Sequence, residues 1–256
     1  MKVKEKKSKR KVRLTKRDYR ILRDAARDGF VVPEFLRTKR FDGKGISAVR
    51  STLRRLYGDP PEYRFLRPVK LDEKRTCYRL TEQGCRAIGV DRRLAKESGM
   101  RGMAGQYARI WLECDPASNR SIFDPRKFPD QFPNVSGRMR KGQFYLEKVD
   151  DNSMRVGCIS IDYRSDLRRW SGRILDDLAG FIRRGWFQNY LVSGNFVVAL
   201  LTYDQEKAKE LESLLASLLP KSLEREFQRA GCNRLPQLEF HVVPGLLPLI
   251  PEREKK

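Results

Sequence analysis

Between residues 14 and 90 the hydrophobic period changes from helical to strand-like and back, and that constrains the fold more than any other feature of the chain. Ile21, Leu22, Ala25 and Ala26 share one side of a helix. Thr15 can cap it, Asp18 follows where a carboxylate favours a helix N-terminus, and Gly29 ends it. Pro33 opens a second short helix carrying Phe35 and Leu36. After the loop 41–45 (FDGKG), a third helix is predicted over 47–57, stopped by Gly58, Pro60 and Pro61. The period then drops to two. Residues 63–71 (YRFLRPVKL) and 76–80 (TCYRL) read as strands joined by the turn 72–74 (DEK). Thr81 then caps a fourth helix. Three helices, a two-stranded hairpin and a helix, in that order, describe a winged helix-turn-helix over 14–90.

The third predicted helix has two faces. Ile46, Val49, Leu53 and Leu56 form the apolar one; Ser47, Arg50, Ser51 and Arg54 form the other. A helix in the major groove needs one face for the core and one for DNA. Arginine grips guanine edges bidentately and hydroxyls bond phosphates, while Arg55 is placed to reach a flanking phosphate. On the hairpin, Lys74 and Arg75 at the tip are the candidate wing contacts.

Charge points to the same partner. Residues 1–98 hold 30 Lys and Arg against 13 Asp and Glu, a net of +17, whereas residues 99–256 have a net of +5. A polyanion suits such an excess, because neutralising phosphates releases counterions. Residues 1–13 (MKVKEKKSKRKVR) form a self-repelling basic arm, expected either along phosphates or in solvent. Other classes are disfavoured. The five cysteines are scattered without a CxxC pair, so neither a disulfide framework nor a thiolate zinc site is expected. The charged start lacks a signal peptide's apolar stretch, and the longest apolar run, 196–201, is too short to span a bilayer. The expected location is the cytoplasm. Neither a membrane nor a small-molecule ligand is inferred.

The second half reads as α/β. Residues 91–106 are polar, with Gly99, Gly102 and Gly105, and are expected to be a linker to a domain over 107–243. Residues 107–112 fit either helix or strand, and 115–141 read as a long irregular insertion. Residues 143–149 and 155–162 suggest a strand pair, 166–183 a helix, and 196–203 a buried strand. Asp204 caps a helix expected to end at Leu219, and 238–242 suggest an edge strand. The tail, 244–256, is expected to be extended because of Pro244, Pro248 and Pro251. His241, the only histidine, is read as structural.

Strand, strand, helix, strand, helix is the order of the PD-(D/E)XK nuclease core. That chemistry needs an acid near one strand, and an acid plus a lysine on the next, to hold magnesium and activate water. Asp162 ends the second strand, but position 160 is serine and position 164 arginine, and residues 140–142 (RKG) before the first strand carry no acid. Asp130 lies further upstream, and Glu147 and Asp150 are the other acids a rearranged site would use.

The segments LTKRDYRILRDAA (14–26), AVRSTLRRLYG (48–58) and TCYRLTEQGCRAIG (76–89) resemble the replication-relaxation proteins, winged-helix proteins of plasmids and integrated mobile elements. RVGCISIDYRSDLRRWSGRI (155–174) and FVVALLTYDQEKAKEL (196–211) resemble that family's C-terminal nuclease-like region. The resemblance covers most of residues 12–219. It implies DNA binding at a mobile-element origin, for replication, relaxation or regulation. It also sets the family's acids at Lys141, Ser160 and Asp162, of which only the last is acidic here. The expected function is therefore double-stranded DNA binding without catalysis or cofactor, with the second domain serving dimerisation or docking. The alternatives are a magnesium-dependent endonuclease using Asp162 and Asp130, and binding of structured RNA.

Overall fold

The computed structural model describes residues 13–58, 63–96, 99–116, 119–123, 132–133, 135, 143–151, 153–232 and 235–251. The chain divides into two compact units, Met1–Glu97 and Ser98–Lys256. Both combine helices and strands. Among the described residues no helix is long and apolar enough to cross a membrane.

The first unit opens with α1 (Lys16–Asp28). Its N-terminus is a capping box: the Asp18 N–H donates to the Thr15 hydroxyl, and the Thr15 N–H donates to the Asp18 carboxylate. Gly29 closes it at φ 86°, a left-handed conformation that costs glycine nothing. Next come α2 (Pro33–Arg40) and α3 (Ile46–Tyr57), then β1 (Leu66–Lys70) and β2 (Thr76–Leu80), antiparallel with Leu66 opposite Leu80. α4 (Glu82–Ile88) follows, capped by Thr81. Between α1 and α2, Val31 forms an antiparallel bridge with Tyr78, so the hairpin has a short third member. Ile21, Leu22, Leu36, Val49, Leu53, Leu66 and Leu80 pack into one core. Asp24 and Arg40 pair through two bonds of 2.7 Å, tying α1 to α2.

The second unit holds α5 (Met100–Glu113), β3 (Arg120–Ile122), β4 (Phe144–Lys148), β5 (Met154–Ile161), α6 (Leu167–Arg183), α7 (Gln188–Val192), β6 (Phe196–Thr202), α8 (Gln205–Arg229) and β7 (Gln237–Val242). The five strands form one sheet in chain order. β3, β4 and β5 are antiparallel neighbours; β5, β6 and β7 are parallel. The parallel pairs need crossovers, which α6 with α7, and then α8, supply. Trp170, Ile174 and Leu178 of α6 and Leu211, Leu215 and Leu219 of α8 pack with Val156, Cys158, Val198 and Leu200 of the sheet.

Four expectations are corrected. Residues 91–106, read as a polar linker, hold the boundary between the two units but are partly helical. Arg92–Ala95 is a 3-10 turn, and α5 starts at Met100 and also takes in residues 107–112. Glycine concealed the helix. At Gly105 a Cβ would lie 2.4 Å from the Tyr163 hydroxyl, so any larger residue would displace that side chain, while Ala104, Ala108 and Leu112 are buried on a helical period. Within 115–141, the stretch Arg120–Ile122 is an edge strand paired with β4. α8 does not stop at Leu219 but runs through Pro220 to Arg229. A mid-helix proline loses one hydrogen bond and crowds the preceding turn. Here Leu223 and Phe227 extend the buried stripe of Leu211, Leu215 and Leu219, and that burial prevails. The described part of the tail, 244–251, is not simply extended: it contains the 3-10 turn Leu247–Leu249, and Leu246, Leu249 and Ile250 are buried. The basic arm 1–13 lies outside the described residues except for Arg13.

Candidate nucleic-acid interface

α3 presents the face read from its sequence. Val49, Leu53 and Leu56 are fully buried, while Ser47, Arg50, Ser51, Arg54 and Arg55 are exposed. At 100° per residue these five span one arc, with Arg50 at one margin and Arg55 at the other. The margins differ chemically.

At one margin, Arg55 is held by an acid. Its guanidinium lies 2.5 Å from the buried Asp18 carboxylate, which also accepts from the Thr15 N–H and hydroxyl. Burial alone would raise the Asp18 carboxyl; the Arg55 and Thr15 donors outweigh it and hold the group below its ordinary value. Arg55 therefore clamps α3 to the start of α1. At the other margin stand two tyrosines that sequence reasoning missed. Tyr57 and Tyr78 stack with ring centroids 5.3 Å apart and planes 27° apart. The Arg50 and Arg54 guanidiniums and the Glu34 carboxylate act on the Tyr78 hydroxyl. Among the described residues, Arg50 and Arg54 have neither hydrogen bond nor ion pair. Tyr57 was detectable: it sits seven residues after Arg50, two turns along the same stripe. Tyr78 was not, because only the Val31–Tyr78 bridge and the hairpin register bring it there.

At the hairpin tip, Lys74 is exposed. Arg75 is bound to Asp72, with its Nε 2.6 Å from Oδ2, and Asp72 also accepts from the Lys74 and Arg75 N–H groups. Arg75 thus fastens the turn, and Lys74 is its exposed cation.

Asp162 has another setting. It is fully buried at the end of β5. Oδ1 accepts from the Ser165 N–H at 3.0 Å; Oδ2 lies 2.6 Å from Lys207 Nζ and accepts from the Thr202 hydroxyl at 3.4 Å. Lys207, in the first turn of α8, also donates to the Ser165 carbonyl at 2.7 Å. Ser160 accepts from the Trp170 indole N–H at 2.9 Å. The other acids are engaged elsewhere. Glu147 is held between Arg120 and Arg155 on the opposite face of the sheet, and Asp150 accepts from Ser153 in the β4–β5 turn. Asp130 and Lys141 lie outside the described residues. Among the described residues no three His, Cys, Asp or Glu side chains are grouped to hold a metal ion. His241 approaches Glu239 and packs edge-on against Trp111 at 6.1 Å.

No protein-family model, no curated protein and no solved structure matches this chain.

Proposed function

We propose that the chain binds double-stranded DNA, with its first unit acting as a winged helix-turn-helix and α3 as the helix that enters the major groove. The observation that carries this reading is the α3 surface: two arginines without ion-pair partners among the described residues and two serines, on a helix whose opposite side buries Val49, Leu53 and Leu56. The net charge of +17 on residues 1–98 supplies the sequence-independent attraction. In this reading Arg50 and Arg54 face base edges, Ser47 and Ser51 support them, and Lys74 meets a phosphate across the hairpin.

We further propose that the second unit, with a PD-(D/E)XK-like strand and helix order, is not catalytic. Both Asp162 oxygens are occupied, one of them by a lysine ammonium where a divalent ion would need open carboxylate oxygen. With the replication-relaxation resemblance, the role proposed is a replication accessory or regulatory protein of a plasmid or mobile element.

Selection of bound duplexes from a random-sequence pool gives the first test, and enrichment of a defined site is expected. On that site Arg50→Ala and Arg54→Ala should each cost about 1–3 kcal/mol, with a smaller loss on scrambled duplex. Equal losses on both duplexes would reduce the two arginines to phosphate contacts. No loss on either would remove α3 from the interface.

A further inference from the structure

We propose that the Tyr57 and Tyr78 hydroxyls bind a DNA backbone phosphate beside α3, extending the interface from the helix onto β2. This rests on the DNA-binding reading of α3 and adds a contact to it. The two rings stack at 5.3 Å, and both are half-buried, so their positions are set by packing. Tyr57 shares the α3 stripe of Arg50 and Arg54. Tyr78 is fixed from the other side, because its backbone exchanges two hydrogen bonds with Val31, at 2.8 and 2.9 Å. Neither hydroxyl has a hydrogen-bond partner among the described residues.

The chemistry suits a phosphate. Tyrosine hydroxyls and arginines are common donors to phosphate oxygens, and such contacts set the register of a protein on the duplex without reading sequence. A phosphate at the hydroxyl pair, on the margin of the face from which Arg50 and Arg54 reach base edges, would meet O–H donors within the positive field of those two guanidiniums. The Tyr78 hydroxyl stays in its donating form: burial, Tyr57 and Glu34 push its pKa up, against the opposing pull of Arg50 and Arg54. Stacking between the two tyrosines uses ring area that an unpaired base would need, which favours phosphate over single-strand stacking.

Glu34 supplies a discriminating test. Its carboxylate acts on Tyr78, so it would repel a phosphate placed there. Binding of the full-length protein to a random-sequence 20-base-pair duplex of about two helical turns, read by fluorescence anisotropy, would compare Tyr57→Phe, Tyr78→Phe and Glu34→Gln with the intact protein. Each phenylalanine variant keeps the ring, so the unfolding midpoint should hold. Each should weaken binding by about tenfold to a hundredfold, the loss expected for one hydrogen bond to a charged acceptor. The slope of log affinity against log salt should stay unchanged, because no cation is removed. Glu34→Gln should tighten binding. Wild-type affinity in both phenylalanine variants, or weaker binding in Glu34→Gln, would overturn the phosphate contact. If Arg50→Ala still weakens binding in that case, only this contact falls. If the intact protein binds no duplex, the DNA reading falls with it.

Discussion

Asp18 shows how one side chain can serve two levels of structure. It completes the α1 capping box and, through Arg55, fastens α3 to α1. Its folded pKa lies below the ordinary 3.8, so the stability it contributes is present above that value and lost as pH falls through the lowered one. Urea midpoints measured at descending pH should therefore drop below about pH 4 in the intact protein, and drop less in Asp18→Asn. Arg55→Ala should lower stability by about 1–3 kcal/mol, toward the smaller figure because the guanidinium is partly exposed and solvent-screened. A normal midpoint with weakened DNA binding would return Arg55 to the phosphate role its exposure first suggested. That role was assigned from its place on the helix; its acid partner lies 37 residues away in sequence. Helical spacing exposes a side chain but says nothing about which neighbouring element answers it.

At the scale of elements, the turn between β1 and β2 and the length of α8 can each be tested. Asp72 collects two backbone N–H groups and Arg75, leaving Lys74 as the exposed cation of the turn. Lys74→Ala should weaken binding to every duplex alike and reduce the salt slope by about 1; an unchanged slope would take the turn off the DNA. In α8, Leu223 lies beyond Pro220 yet is buried on the stripe that begins at Ala208. Leu223→Ala should cost about 2–5 kcal/mol, as for other buried leucines; a loss of a few tenths would mean that the helix frays after the proline. The periodicity that revealed α1, α3, α6 and β6 was strong in each. α5 and the end of α8 were hidden because glycine and proline count locally as breakers, whereas the packing of Gly105 against Tyr163 and of Leu223 in the core is not local.

For the whole molecule, the decisive feature of the second unit is the pairing of the buried Asp162 with the partly buried Lys207. Removing one partner of such a pair strands the other, so Asp162→Ala should destabilise the unit by about 3–5 kcal/mol. Pairing Asp162→Asn with Lys207→Met should recover much of that loss, since no buried charge is then left alone. Added magnesium should leave the unfolding midpoint unchanged, because a resident ion would raise it by mass action. Plasmid incubated with magnesium or manganese should stay supercoiled. Metal-dependent nicking that disappears in Asp162→Ala, with the fold intact by circular dichroism, would restore the endonuclease.

The sequence by itself determined the order of the main elements, the buried and exposed faces of α3, and the concentration of charge in the first unit. All three depend on residues close together in the chain, where period, caps and composition act directly. Tertiary structure alone decided what those faces meet. It gave Arg55 to Asp18 and Asp162 to Lys207, and set Tyr78 beside Tyr57. These pairings join residues 21 to 45 positions apart, and they are settled by where packed helices and strands bring charges and rings within reach, which no local pattern encodes.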